Sequence, residues 1–172
     1  ARFRSPPPRS PASISALAAL KDSDAAERHD LAVISDELHD RMTSVSKHTC
    51  FASQPGMRDR TVLLGGFSKA YAMTGWRLGW VAAPGPLAEA VMKVHQYVMM
   101  SAPTASQYAA IAALDEGESF VAEMVAEYDR RRRLIVDGLR AVGLSTFEPR
   151  GAFYAFPDIT VTGMDSVTFS ER

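Results

Sequence analysis

The stretch that most constrains the fold places a lysine directly after a buried strand. Residues 61–64 form a short apolar run, and Gly65 and Gly66 follow it at once. Paired glycines end a strand and favour a turn, so we expect Lys69 on an irregular connection and not on a solvated helix face. A lysine in a glycine-rich turn is by itself usually an ordinary surface residue, so its interpretation depends on its neighbours.

Two neighbours give Lys69 a chemical interpretation. Burial disfavours the charged form of an amine, and a neutral amine can attack a carbonyl group to form a Schiff base. Arg77 follows eight positions later between Gly75 and Gly79, whose small size lets a large planar anion approach the backbone. The fork of donors on a guanidinium suits a phosphate group.

An aspartate ends an earlier apolar run. Residues 31–34 predict a strand, and Asp36 stands at its C-terminal end. Ligands of open α/β sheets collect beyond the carboxyl ends of the strands, so this carboxylate is well placed to meet a cofactor. A pyridine ring that carries an aldehyde and a phosphate needs a carboxylate, a lysine and a phosphate-binding group. The carboxylate keeps the ring nitrogen protonated, and the lysine holds the aldehyde as an imine.

Two segments resemble the class I/II aminotransferases, the pyridoxal-phosphate enzymes of fold type I. They are Val-Ile-Ser-Asp-Glu-Leu at 33–38 and Gly-Phe-Ser-Lys-Ala-Tyr-Ala-Met-Thr-Gly-Trp-Arg-Leu-Gly at 66–79. The resemblance implies that Lys69 forms the imine with pyridoxal 5'-phosphate, that Arg77 binds the cofactor phosphate and that Asp36 pairs with the pyridine nitrogen. It also implies a weaker phosphate contact from Ser68.

The chain departs from the family at two site positions. Where the family usually has a tyrosine that bonds the ring oxygen, three residues after the aspartate, this chain has His39. A histidine nitrogen can donate a similar hydrogen bond, although its reach and its pKa differ from those of a tyrosine hydroxyl. Where the family often has a serine, three residues before the lysine, this chain has Gly66, which removes one expected phosphate contact.

The resemblance covers about residues 26–172 and implies a partial α/β architecture of fold type I. Residues 26–116 are expected to form part of the cofactor-binding large domain, with a partial sheet and its covering helices. Residues 117–172 are expected to form a linking helix and the start of a small C-terminal α/β domain, and residues 149–157 match a family signature there. Residues 1–25 are a Pro- and Arg-rich extension and the start of a helix.

The expected elements are indicated by local patterns. Apolar runs and flanking glycines predict strands at 31–34, 61–64 and 78–83, and alternating aromatic and small residues predict another at 153–156. Prolines, glycines and helical periodicity predict helices at 12–29, 86–100, 104–114 and 118–142. Leu87, Val91, Val94 and Val98 are expected to share one apolar helix face.

The resemblance implies amino-group transfer between an amino acid and a 2-oxo acid by a homodimer. Family members are about twice this length or more. Their phosphate loop, stacking aromatic residue and substrate-binding arginine have no counterpart in these 172 residues, so we expect the chain alone to be an incomplete transaminase. Two alternatives remain: a pyridoxal-phosphate lyase or decarboxylase of the same fold, and a non-catalytic remnant or regulatory module.

Composition excludes several other classes. A net charge of −1 gives no argument for nucleic-acid or membrane binding, and no apolar run approaches the ~18 residues of a membrane span. The single cysteine, Cys50, fits a reducing compartment such as the cytoplasm. The histidines show no metal-ligand spacing. Residues 130–133 are four arginines, which we expect on a solvated helix face near Glu123, Glu127 and Asp129.

Overall fold

A three-stranded sheet lies at the centre of the fold. The computed structural model describes residues 22–43 and 47–172. The strands are β1 (Val33–Asp36), β2 (Thr61–Gly66) and β3 (Gly79–Ala82), with β2 in the middle. β1 pairs with β2 in parallel, and β3 pairs with β2 in the antiparallel sense. The three strands predicted from the apolar runs are therefore present, each shifted by at most two residues at either end.

The central strand, β2, is covered by other residues near both of its ends. Thr61 and Val62 are buried at its start, and the Thr61 hydroxyl donates a 2.7 Å hydrogen bond to the Met57 carbonyl oxygen. At its far end the Trp80 indole crosses Gly65, where an added Cβ would lie 2.1 Å from Trp80 Cζ2. A side chain at position 65 would therefore collide with the Trp80 ring where that ring now lies.

Six helices account for about half of the remaining described residues. Residues 22–28 are helical (α1), and residues 12–21 of the helix predicted there lie outside the described residues. The others are α2 (Phe67–Ala70), α3 (Gly85–Val98), α4 (Thr104–Glu116), α5 (Glu118–Ala141) and α6 (Ser166–Ser170). The three long helices match their predicted ranges to within two residues. Among the described residues, none of the helices combines the length and apolarity needed to cross a bilayer.

The position of Lys69 corrects one prediction. The residue lies in α2, a single helical turn, and not on an irregular connection. Phe67 is only 7% exposed, and its carbonyl oxygen accepts hydrogen bonds from the backbone N–H groups of Tyr71 and Met73. The burial of Phe67 and these two hydrogen bonds stabilise the turn, which glycine content alone did not indicate.

The predicted strand at 153–156 is wrong. Isolated antiparallel pairings lie on either side of it, between Gly151 and Thr43 and between Pro157 and Thr146. Each pairing joins the segment to a different neighbour, so within the described residues no single partner strand runs alongside residues 153–156. Alternation of aromatic and small residues is therefore not sufficient for a strand here, because a strand needs a continuous partner.

A small apolar cluster fixes the loop that follows α2. Phe67, Met73 and Ala110 form its buried part, so the α2 turn packs on α4. The Ser106 hydroxyl donates a 2.6 Å hydrogen bond to the Trp76 carbonyl oxygen, which ties the end of the loop to the same helix. Helix α4 thereby holds the segment between β2 and β3 in place.

The α3 face that the sequence predicts to be apolar is solvent-exposed. Val94 and Val98 are 64% and 70% exposed, and Val91 is also exposed. Nothing in the described part of the chain covers these side chains.

The arginine run forms ion pairs, as predicted, with one difference. Three of its members are exposed, whereas the Arg132 side chain is only 11% exposed. It is covered because Arg132 pairs with Asp129 on its own helix and with Glu148 beyond the helix end. The pairs on the helix are Arg130–Glu127, Arg131–Glu127, Arg132–Asp129 and Arg133–Asp129. The four arginines pair with three carboxylates, so these ion pairs offset most of the positive charge of the run.

Candidate active site

Three predicted site residues lie at one edge of the sheet. Asp36 ends β1, Lys69 follows the end of β2 by three residues, and Arg77 precedes the start of β3 by two. The ends of β1 and β2 lie side by side because these strands are parallel. The start of β3 lies there too, because β3 is antiparallel and Gly79 pairs with Gly66. The sheet topology thus puts a carboxylate, an amine and a guanidinium at the same end of the strands, although they are up to 41 positions apart in the sequence.

Asp36 is exposed at this edge and is held by a local turn. Its Oδ1 accepts a 3.1 Å hydrogen bond from the backbone N–H of Leu38. Such a bond, from the N–H two residues on, is the Asx turn that aspartate and asparagine both form. The carboxylate is therefore oriented by its own backbone and remains open to a ligand.

Lys69 and Ser68 lie in the single turn of α2. The Lys69 side chain is half-buried, and its Nζ lies 5.2 Å from the centre of the Phe153 ring. The Ser68 carbonyl oxygen accepts a 3.1 Å hydrogen bond from the Thr74 hydroxyl. This bond closes the loop between the lysine and Arg77, so both residues belong to one compact segment.

Arg77 has an unusual backbone conformation. Its φ and ψ are 52° and 49°, the left-handed region, which costs a residue other than glycine roughly 1–2 kcal/mol. Its Nη1 donates a 3.0 Å hydrogen bond to the Thr74 carbonyl oxygen, and no carboxylate among the described residues pairs with it. The guanidinium is exposed and free to bind an anion. Backbone strain of this kind is concentrated at functional sites.

His39 presents a buried nitrogen with no partner. Its Nε2 is buried, and it makes no hydrogen bond within the described part of the protein. The imidazole packs edge-on against Phe153 and Tyr154, with ring centres 5.4 Å and 6.0 Å apart. A buried polar atom without a partner is rare in proteins and is explained by a missing ligand or water. The buried Nε2 of His39 therefore has unused hydrogen-bonding capacity.

Phe153 and Tyr154 are site residues that the sequence analysis missed. The segment reaches the sheet edge because Ala152 N–H donates a 2.7 Å hydrogen bond to the Met42 carbonyl oxygen. Ala152 itself has a φ of 55°, so the chain turns sharply just before Phe153. The signature at 149–157 was the available signal, but interpreting it as a strand gave no reason to place these rings beside Lys69.

Glu37, the residue after Asp36, holds residues 48–51 in place through its carboxylate. Its Oε1 accepts hydrogen bonds from the Ser35 hydroxyl and the Phe51 N–H, at 3.0 and 2.8 Å, and its Oε2 pairs with His48 Nε2. Burial would raise the pKa of Glu37, but the hydrogen bonds from His48, Phe51 and Ser35 outweigh it and hold the pKa below its ordinary value of 4.5. Burial raises the pKa of the nearby Cys50 thiol. No cluster able to hold a metal ion occurs in residues 22–43 and 47–172.

The Glu37 network predicts a pH-dependent contribution to stability. Because its folded pKa is lowered, the Glu37 carboxylate should stabilise the protein above about pH 4.5 and lose this effect as the pH falls further. Glu37→Gln should lower the free energy of unfolding at pH 7 by about 1–3 kcal/mol, because the amide loses the negative charge and replaces the oxygen that pairs with His48 by an NH2 group. Denaturant titrations from pH 3 to 7 measure the difference, with Glu171→Gln as an exposed control. A wild-type-to-variant difference that stays constant below pH 4.5 would contradict the prediction.

Comparisons with known proteins agree on one family. A model described as aminotransferase class I and II matches residues 12–170. An aspartate aminotransferase of Pyrococcus abyssi is 48% identical over 152 residues, which are 87% of this chain and 39% of that protein. Aromatic-amino-acid aminotransferase 2 of Thermococcus litoralis is 44% identical over 152 residues, with the same two shares, 87% and 39%.

Solved structures give the same result for the fold. The structure of an aromatic aminotransferase from Pyrococcus horikoshii matches with a TM-score of 0.84 and 46% sequence identity, over 89% of this chain and 42% of that one. A Thermus thermophilus aspartate aminotransferase with maleate matches with a TM-score of 0.80 and 34% identity, over 87% of this chain and 39% of that one. The chain spans about two fifths of the length of the relatives it matches. The expected partial fold-type-I architecture is confirmed.

Proposed function

The chain belongs to the class I and II aminotransferases, and from that premise we propose that it carries the lysine-bearing part of a pyridoxal-phosphate-dependent active site. The observation that supports this most strongly is the sheet edge. Asp36, Lys69 and Arg77 adjoin the same end of the three strands, and their chemistry suits the ring nitrogen, aldehyde and phosphate of the cofactor. His39 supports it further, since its buried Nε2 lacks a partner that a ring oxygen would supply.

Each residue has a distinct role in this proposal. Pyridoxal phosphate, when bound, supplies an electron sink for the bond broken at the amino acid's α-carbon. Asp36, oriented by its Asx turn, holds a proton on the ring nitrogen. Lys69 would hold the aldehyde group of the cofactor through Nζ and would move the substrate α-proton as base and acid.

The remaining residues bind and orient. Arg77 binds the phosphate with a guanidinium that no carboxylate of the described chain neutralises, and Ser68 adds a weaker contact. His39 donates from Nε2 to the ring oxygen in place of the family's tyrosine. We assign the chain's substrates only as an amino acid and a 2-oxo acid, because its relatives are named for different amino acids.

The proposed domain organisation matches the order of the elements along the chain. Residues 26–116 hold the sheet and α4, so we assign them to the cofactor-binding large domain. Residues 117–172 hold the long helix α5 and the C-terminal segment with α6, and we assign them to the link and the start of the small domain. Residues 1–25 are the extension that precedes both. From the family resemblance we also propose that the protein acts as a homodimer in the cytoplasm.

Replacing Arg77 tests the phosphate site. Arg77→Ala should weaken the binding of pyridoxal phosphate by about 1.5–3 kcal/mol, the worth of a hydrogen bond to a charged group. Pyridoxal without its phosphate should bind both proteins equally, because it lacks the group that the guanidinium holds. Titrations followed by cofactor absorbance or fluorescence give both affinities. Arg58→Ala, at an exposed position remote from the sheet edge, is the matched control. Equal phosphate-dependent affinity in wild type and Arg77→Ala would contradict the assignment.

A further inference from the structure

The backbone is fastened on both sides of Arg77. On the N-terminal side, the carbonyl oxygen of Trp76 accepts a 2.6 Å hydrogen bond from the Ser106 hydroxyl. On the C-terminal side, the carbonyl oxygen of Leu78 accepts a 3.3 Å hydrogen bond from the Phe67 N–H. The peptide group before Arg77 is thus tied to α4, and the chain directly after it is tied to the end of β2.

Ser106 belongs to a face of α4 that holds the loop at two points. Ser106 is 4% exposed, and Ala110, four positions later and therefore on the same helix face, is 6% exposed. Ala110 packs in the apolar cluster with Met73 and Phe67. Because Ser106 is buried, water has little access to compete for its hydroxyl. Helix α4 therefore fixes the loop immediately before Arg77.

The left-handed backbone of Arg77 depends on being held from both sides. This conformation is unfavourable for a residue with a Cβ, so Arg77 would turn to a right-handed or extended conformation if one side were released. Rotation about its backbone bonds changes the direction in which its side chain leaves the chain. A guanidinium that has the correct direction in only a fraction of the molecules binds an anion more weakly, in proportion to that fraction.

We propose that Ser106 is a positioning residue, which acts through the Trp76 carbonyl oxygen to keep Arg77 in the left-handed conformation that binds a phosphate group. The inference rests on the proposed phosphate-binding role of Arg77 and extends it, because it gives α4 a part in the site. In this role Ser106 acts through the backbone and does not need to touch the ligand.

The backbone conformation can be tested in the protein without cofactor. At a positive φ the amide and α protons of a residue lie close together, so Arg77 should show a strong nuclear Overhauser effect (NOE) between them. Ser106→Ala should weaken this NOE, because Arg77 can then leave the left-handed region. Ser106→Cys, which fills a similar volume with a much weaker donor, should weaken it too. A weak Arg77 NOE in the wild type, or an unchanged NOE in both variants, would overturn the inference.

The functional effect is measured as phosphate-dependent affinity. Ser106→Ala and Ser106→Cys should bind pyridoxal phosphate about two- to tenfold more weakly than wild type, the loss expected from one neutral hydrogen bond. Their affinity for pyridoxal, which lacks the phosphate, should be unchanged. Added to Arg77→Ala, the Ser106→Ala change should have no further effect, because the guanidinium that it positions is absent. Ser119→Ala, at an exposed serine of α5, is the matched control.

The outcomes separate this inference from the proposed function. Three results would overturn the positioning role, since each indicates a general loss of packing: equal weakening of pyridoxal and pyridoxal phosphate binding, additive effects of Ser106→Ala and Arg77→Ala, or an effect of Ser106→Ala that Ser106→Cys does not share. Undiminished binding of pyridoxal phosphate by Arg77→Ala would instead contradict the proposed phosphate site. Denaturant unfolding checks the fold of each variant, and the wild-type NOE tests the inference even where a variant does not fold.

Discussion

Replacing Lys69 with arginine should abolish the covalent attachment of pyridoxal phosphate. Arginine keeps the positive charge next to Phe153, but a guanidinium does not form an imine at ordinary pH. The wild-type protein mixed with the cofactor should show an imine absorbance, and borohydride should fix the cofactor on the peptide that contains Lys69. The variant should show neither. Any amino transfer that the wild type performs should fall by at least the roughly 10²–10⁴-fold that a general acid–base contributes.

Two observations control this experiment. Lys93→Arg, on the exposed face of α3, should label like wild type. Peptide mapping identifies the labelled lysine directly. Stoichiometric label on Lys47 or Lys93 in the wild type, or undiminished label in Lys69→Arg, would show that the imine forms elsewhere.

Asp36→Asn should separate cofactor binding from chemistry. Asparagine can form the same turn with the Leu38 N–H, so the strand end should keep its shape. It cannot supply the anion that holds a proton on the ring nitrogen. A hydrogen bond to a charged group is worth about 1.5–3 kcal/mol, so exchange of the substrate α-proton should slow roughly ten- to hundredfold. The pH at which the ring nitrogen loses its proton should fall by about 1–2 units.

Cofactor occupancy and α-proton exchange are measured on the same samples. Occupancy should remain close to wild type in Asp36→Asn. The rate at which an amino acid deuterated at its α-carbon loses that deuterium to solvent should fall. Asp59→Asn, at an exposed position outside the strands, should match wild type in both. Unchanged exchange in Asp36→Asn would rule out the proposed pairing with the ring nitrogen.

Local patterns in the sequence were sufficient to predict the three strands of the sheet and the long helices, although they also predicted a strand at 153–156 that does not form. The apolar runs that end at Ile34 and at Leu64 are followed by polar or glycine residues, so their ends are defined by adjacent residues. Pro86 and Gly117 mark helix ends in the same way. The grouping of Asp36, Lys69 and Arg77 was expected from the family resemblance, and the strand pairing accounts for it.

The remaining features depend on contacts between distant parts of the chain. Phe153 reaches Lys69 only because Ala152 bonds to Met42, a pairing that no local pattern indicates. The single turn around Lys69 is stabilised by Phe67, which is buried by packing against α4. Arg132 is covered because Glu148 folds back onto it. In each case the deciding interaction joins segments whose proximity is set by the tertiary fold.

The antiparallel pairing of β3 has a consequence for how this segment tolerates changes of length. Gly66 and Gly79 are ladder partners, so residues 67–78 form a closed loop with both ends fastened to each other. An inserted residue near Thr74 would leave the spacing of the strands unchanged, but it would disturb the Thr74–Ser68 hydrogen bond and the contacts of Met73 and Trp76 with α4. An insertion within β2 or β3 would shift the register by one and turn every later side chain of that strand to the opposite face. The length of the segment is therefore constrained at the tip of the loop as well as in the strands.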